Sequence, residues 1–146
     1  VQTCALPIFE DGVESLPITD TKMTRFLLTL DQAINLVEWA YNHPTSHGKI
    51  AIPKIESLNI MDLVKAIAAA CGKPDINFHK IPIRDGEKLH EEMISEIEWQ
   101  RTEDAGDYYL IGFEKRNEDY GKRSFSSQYH VTNNVTNFFE KNNIAI

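Results

Sequence analysis

The chain has 146 residues, with 15 basic and 22 acidic side chains, a net charge of −7, 42% hydrophobic and 25% charged residues. That length buries a core within one domain or part of one, and the balance of apolar and charged residues is that of a globular chain. The acidic excess leaves no basic face for a nucleic-acid groove, and no apolar run approaches the roughly 20 residues that span a bilayer.

Two cysteines, Cys4 and Cys71, are too few for a disulfide framework, so a reducing, cytoplasmic setting is expected. Cys71 falls on the apolar side of an expected helix, as a buried thiol would. The opening Val1-Gln2-Thr3-Cys4-Ala5-Leu6-Pro7-Ile8 has neither an initiator Met nor the basic region of a signal peptide. It is similar to one reading frame of a common sequencing-library adapter. Residues 1–8 are therefore expected to be translated adapter, with the native sequence, residues 9–146, continuing an upstream frame. Asn134-Val135-Thr136 matches the glycosylation sequon, a short pattern that is discounted without a signal peptide.

In chain order, Thr24 to Thr29 reads as a strand. Thr29-Leu30-Asp31-Gln32 then has the form of a capping box, followed by Ala33, Val37, Ala40 and Tyr41 at helical spacing. His43-Pro44 should end that helix, because the residue before a proline avoids helical backbone. Lys49 to Pro53 reads as a strand. Asn59 caps a second helix, whose face is Ile60, Leu63, Val64, Ile67 and Cys71, and Gly72 and Pro74 end it. Ile76 to Ile83 is the next strand. A third helix is expected from Gly86, with Leu89, Met93 and Ile97 at i, i+4 and i+8. Asp107 to Phe113 reads as a strand and the tail from Val135 as a short helix. Strands alternating with helices define an α/β class. No dinucleotide-binding or phosphate-loop glycine pattern and no nucleophile elbow is present.

The densest polar cluster is Arg84-Asp85-Gly86-Glu87-Lys88-Leu89-His90-Glu91. An arginine fork takes two phosphate oxygens, Gly86 lets backbone approach a ligand, a helix start favours anions, and Glu87 suits a ribose diol. A solvated first helical turn, with Lys88 and Glu92 paired four residues apart, accounts for the same residues. Spacing alone leaves both readings open. Arg25 lies inside an apolar strand, where a charge needs a partner or a ligand unless it turns to water. The five histidines are scattered and His90-Glu91-Glu92-Met93 lacks the second His of a zinc helix, so no metal site is expected. Glu91 and Glu92 are adjacent, which on a helix keeps them from facing each other as an acid/base pair. Trp39, Trp99 and Tyr108-Tyr109 read as packing residues.

Thr19-Asp20 followed by Met23-Thr24-Arg25-Phe26, then Thr29-Leu30-Asp31-Gln32-Ala33, then the Arg84 to Glu91 block with Ile94-Ser95-Glu96 and Asp107-Tyr108-Tyr109, together carry a resemblance. From about Pro17 onward the chain resembles the C-terminal part of a polysaccharide-biosynthesis nucleotide-sugar dehydratase of the UDP-N-acetylglucosamine 4,6-dehydratase type. The resemblance implies the substrate-binding portion of an extended short-chain dehydrogenase, a Rossmann-type fold whose N-terminal half binds NADP. It implies hydride removal at sugar C4, elimination of water across C5 and C6, and hydride return at C6, with every catalytic residue upstream of this chain. It further implies that Arg25 and Arg84 hold the UDP diphosphate and Glu87 the ribose, and that the full-length protein forms a homo-oligomer. Asp85 stands where that pattern usually has proline and is expected to face solvent. A UDP-sugar 4-epimerase or reductase of the same superfamily, or a non-catalytic α/β interaction module, are the alternatives.

Overall fold

The structure is a computed structural model, and it describes residues 14–114 and 123–142. Residues 1–8, expected to be adapter, lie outside the described residues.

Nine short strands and four α-helices are described: β1 (Ser15–Ile18), β2 (Thr24–Phe26), α1 (Leu30–Asn42), β3 (Ile50–Pro53), β4 (Ser57–Asn59), α2 (Ile60–Ala70), β5 (Asn77–Lys80), β6 (Glu92–Ile94), α3 (Glu96–Trp99), β7 (Thr102–Asp104), β8 (Tyr108–Ile111), β9 (Phe125–Ser126) and α4 (Val135–Lys141). A single 3-10 turn, Pro44–Ser46, follows α1. The α/β class holds, with one parallel pair, β1 with β5, among antiparallel ones: β2–β4, β3–β8–β7 and β6–β9.

The helix starts follow their caps. Thr29 and Gln32 close the expected capping box on α1, with Thr29 Oγ1 accepting the Gln32 amide and Gln32 Oε1 the Thr29 amide. Asn59 caps α2 through Met61 N at 2.8 Å. Gly72 follows α2 at φ +74°, a backbone that glycine adopts without strain. Asn134, first residue of the discounted sequon, caps α4 through Asn137 N.

Three apolar clusters hold the elements together. Leu16 of β1 meets Ala68 of α2, with Val64, Ile67, Phe78 and the half-buried Cys71 around them. Leu58 of β4 packs on Phe138 and Phe139 of α4 and on Leu63. Ile94, Ile111 and Phe125 join β6, β8 and β9, with Phe26, Trp99 and Tyr109 against them. Trp39 stacks on Tyr108 at 4.3 Å between ring centres, and Trp99 meets Tyr109 edge-on, both as packing residues. Of the face expected on α1, Ala33 and Ala40 are half-buried while Val37 and Tyr41 are exposed, as are Leu30 and Ile34 beside them.

The expected third helix is not formed. Residues 84–91 make a turn and an irregular stretch, β6 follows, and only Glu96–Trp99 is helical. A spacing of four satisfies a strand's period of two as well as a helix. Of the three residues behind that expectation, Ile97 is 76% exposed and Leu89 is exposed as well, whereas Ile94 is fully buried against β9. The helix start in this stretch is Ser95, whose hydroxyl and Glu98 form a second capping box. The loop therefore has no helix-start amides beside Gly86, and Lys88 and Glu92 share no helical face. Glu91 and Glu92 are also not on a helix.

Candidate functional site

Arg25, Arg84 and Glu87 line one cleft, together with Thr19, Met23 and Ile60. Three segments build it. β2 supplies Arg25, which pairs across the ladder with Leu58, so the side chain leaves the face opposite to Thr24 and Phe26. The turn after β1 supplies Thr19, and Asp20 stiffens that turn by accepting Lys22 N at 2.8 Å. The Arg84–Glu91 loop, between β5 and β6, supplies Arg84 and Glu87.

That loop opens with a turn closed by Glu87 N donating to Arg84 O at 3.0 Å, with Gly86 at φ +81° in third position. Such a φ at that position is the type II pattern and requires glycine. The Glu87 carboxylate also accepts Arg84 N at 3.2 Å and the Thr19 hydroxyl at 3.2 Å. Two of its acceptor directions are therefore in use, and a carboxylate has about four. Asp85 is exposed, as expected.

The two arginines are held in opposite ways. The Arg84 side chain is exposed and has no hydrogen bond or ion pair among the described residues. Arg25 is fastened from several sides. Its Nη1 donates to Thr24 O (2.8 Å) and Leu89 O (3.2 Å), and its Nη2 to Lys88 O (3.0 Å). Glu87 lies 3.8 Å from Nη2 and Glu91 3.6 Å from Nε. Arg25 thus anchors the loop and balances two carboxylates while its charge still faces the cleft.

Residues given no binding role in the sequence hold this arrangement, Ser57 and Ser127 among them not marked at all. Glu91 accepts Phe26 N at 3.2 Å. Behind the loop, Thr24 Oγ1 contacts His90 Nδ1 at 2.8 Å and Ser127 Oγ at 2.7 Å. Thr24, Ser57 and Ser127 are buried polar residues, and burial of such groups calls for mutual hydrogen bonds. No periodic signal marks them, because the partners lie up to 103 residues apart.

Beside the cleft a second groove of about 480 Å³ is lined by Phe26, Leu28, Leu36, Pro53, Lys88 and Glu91, among others. Among the described residues no group of three or more His, Cys, Asp or Glu side chains is placed to hold a metal ion, and no helix is long and apolar enough to cross a membrane.

The polar turns of this α/β chain converge on a cleft that presents a free arginine and a half-buried carboxylate, a cation beside a set of hydrogen-bond acceptors. The chain belongs to the polysaccharide biosynthesis protein family, whose pattern matches residues 4–112. It is 42% identical over 105 residues to the inverting UDP-N-acetylglucosamine 4,6-dehydratase of Campylobacter jejuni, covering 71% of this chain and 29% of that protein. It is 36% identical over 121 residues to the UDP-glucose 4-epimerase of Rickettsia canadensis, covering 80% of this chain and 35% of that one. The chain thus spans about a third of the length of these curated relatives. The X-ray structure of Pen from Bacillus thuringiensis superposes with a TM-score of 0.74 at 22% identity, over 99% of this chain and 46% of that one, a likeness of fold.

Relatives of this kind imply a nicotinamide cofactor, and the described residues do not fit one. A dinucleotide rests its pyrophosphate on free amides at a helix start behind a glycine-rich turn. At α1 and α2 those amides already meet Thr29 Oγ1 and Asn59 Oδ1, and neither cap is preceded by such a turn.

Proposed function

We propose that this chain is the nucleotide-sugar-binding part of a UDP-N-acetylglucosamine 4,6-dehydratase, a lyase that makes a 4-keto-6-deoxy UDP-sugar for polysaccharide biosynthesis. The observation that carries the reading is the meeting of Arg25, Arg84 and Glu87 in one cleft, although they come from segments about 60 residues apart. In this reading the free Arg84 fork takes the diphosphate and Arg25 adds a second positive charge beside it. Glu87 offers its remaining acceptor directions to the ribose hydroxyls. The 42% identity to the Campylobacter jejuni dehydratase supports UDP-N-acetylglucosamine as substrate. Elimination and hydride transfer belong to residues outside this chain, as does the cofactor, NADP. The chain alone is inactive and forms the C-terminal region of a longer, cytoplasmic, homo-oligomeric enzyme.

The 36% identity to the Rickettsia canadensis epimerase favours a second reading, in which the same cleft takes UDP-glucose and the sugar is epimerised at C4. One experiment separates these. The full-length protein is incubated with NADP and either UDP-N-acetylglucosamine or UDP-glucose, and the products are weighed by mass spectrometry. Loss of one water from UDP-N-acetylglucosamine is the expected result. A product of unchanged mass and inverted C4 would make the protein an epimerase. No turnover together with no UDP binding would leave a non-catalytic module.

A further inference from the structure

We infer that Ser127 is a positioning residue for the Arg84–Glu91 loop, acting with Thr24 to set the geometry of the nucleotide-sugar cleft. The inference rests on the proposed binding reading and extends it to a residue that does not line the cleft.

The loop has no helix or strand of its own between β5 and β6, so something else must fix where Arg84 and Glu87 stand. Its last three residues are each tied down from one side. Leu89 O accepts Thr24 N at 3.1 Å, and His90 Nδ1 meets Thr24 Oγ1 at 2.8 Å. Glu91 is held twice by Ser127: the Ser127 amide donates to Glu91 O at 2.8 Å, and the Glu91 amide donates to Ser127 Oγ at 2.8 Å. The Ser127 hydroxyl continues to Thr24 Oγ1 at 2.7 Å and Thr24 O at 3.2 Å, so one oxygen joins the loop to β2. Ser57 Oγ in turn donates to Ser127 O at 2.5 Å and fixes the residue within its own turn.

Ser127 has no exposed surface, so water does not stand in for its hydroxyl. What it fixes reaches the cleft through Glu91. That carboxylate lies 3.6 Å from Arg25 Nε, and Arg25 binds the Lys88 carbonyl and faces Glu87 at 3.8 Å. A displaced Glu91 therefore moves the groups that bracket the ligand, while Ser127 itself never touches it.

The test measures UDP affinity by calorimetry and amide hydrogen exchange on the full-length protein, in the parent and in Ser127→Ala, Thr24→Val, Thr24→Ser and Arg84→Ala. Ser127→Ala, which removes the hydroxyl's contacts with Glu91 N, Thr24 Oγ1 and Thr24 O, is expected to weaken UDP binding about tenfold and to speed exchange at Leu89 to Glu91 while the β8 amides keep their protection. Thr24→Val should do the same, and Thr24→Ser, which keeps the hydroxyl, should restore both. If Ser127→Ala does not fold, the Thr24 pair decides. Parent-like UDP affinity in Ser127→Ala, or equal affinities in Thr24→Val and Thr24→Ser, overturns the positioning role while the site stands. If Arg84→Ala binds UDP as well as the parent, or the parent does not bind it, the site reading falls and this role with it.

Discussion

Arg25 and Glu87 face each other at 3.8 Å across the cleft, so the cation proposed for the diphosphate and the anion proposed for the adjoining ribose neutralise each other there. A diphosphate brings its own negative charge to Arg25 and competes with Glu87 for it. The exchange is favourable only if Glu87 gains partners elsewhere, and ribose hydroxyls are donors of the right kind. Charge pairing across the cleft thus favours a ligand carrying a phosphate and a diol together over either alone.

Arg84→Ala tests the free cation. The side chain is exposed and without a partner among the described residues, so its loss should leave the melting temperature unchanged. A charge-assisted hydrogen bond is worth about 2 kcal/mol, or about thirtyfold in affinity. Calorimetric titration with UDP should show a loss of that order beside an unaltered melting curve. Equal affinity would remove Arg84 from the site.

Arg25→Ala should behave differently because its donors already serve the protein. Removing the guanidinium takes a donor from the Thr24, Lys88 and Leu89 carbonyls, of which Thr24 O keeps Ser127 Oγ and Leu89 O keeps Thr24 N, and leaves Glu87 and Glu91 without their counter-ion. The expected cost is about 2 kcal/mol of stability, together with weaker UDP binding. Urea unfolding measures the first. A stable Arg25→Ala protein with weakened binding would instead make Arg25 a direct ligand of the phosphate.

These differences mark what was legible in the sequence. Both long helices could be read from Thr29, Asn59 and Gly72, because a cap is a local event between residues two or three apart. The strands β2, β3, β5 and β8 fell inside the apolar runs expected to contain them. The Arg84–Glu91 block was legible in composition but not in shape. Whether Leu89 and Met93 belong to a helix or an extended stretch is settled by Ser127 and Phe125, more than 30 residues later. Likewise Arg25 showed only that a partner was needed. Which carboxylates it meets depends on how the loop is folded back over β2.

Asp85→Pro should stabilise the protein. Asp85 is second in the turn closed by Glu87 N and Arg84 O, where proline's fixed φ is already the one required, and Gly86 in third position supplies the positive φ. Restricting the unfolded chain at a compatible site is worth about 0.4–1 kcal/mol. The substitution also removes a negative charge next to Arg84, so UDP affinity should rise. A lower melting temperature would show that Asp85 holds a backbone incompatible with proline.

Acid should loosen the start of α3. Glu98 is held below the ordinary glutamate range, first by the Ser95 amide, then by the Ser95 hydroxyl, with Arg101 adding a smaller attraction. Its carboxylate accepts these donors at 3.0 and 2.7 Å. A carboxyl depressed in the folded state contributes stability that is present above its unfolded value and lost as pH falls through the folded one. Unfolding free energy should therefore fall on acidification below the ordinary glutamate range, and Glu98→Gln should flatten that part of the profile. An unchanged slope in Glu98→Gln would assign the acid sensitivity to other carboxylates.

Helix α1 gives the last expectation. Leu30, Ile34, Val37 and Tyr41 follow one another at helical spacing on one side of it, and they are 73%, 48%, 68% and 81% exposed. No residue of this helix is buried. An amphipathic helix turns its apolar stripe inward when a core is available, and a stripe left in water favours association. In the reading proposed above, that face belongs against the remainder of a longer enzyme. The 146-residue chain on its own should accordingly self-associate, and Val37→Lys, which places a charge in the centre of the stripe, should shift it toward monomer in sedimentation velocity. The substitution touches no buried contact, so the melting temperature of the monomer should hold. A parent chain that is already monomeric at high concentration would mean that the stripe is tolerated in water, and the case for a covering domain would lose its support.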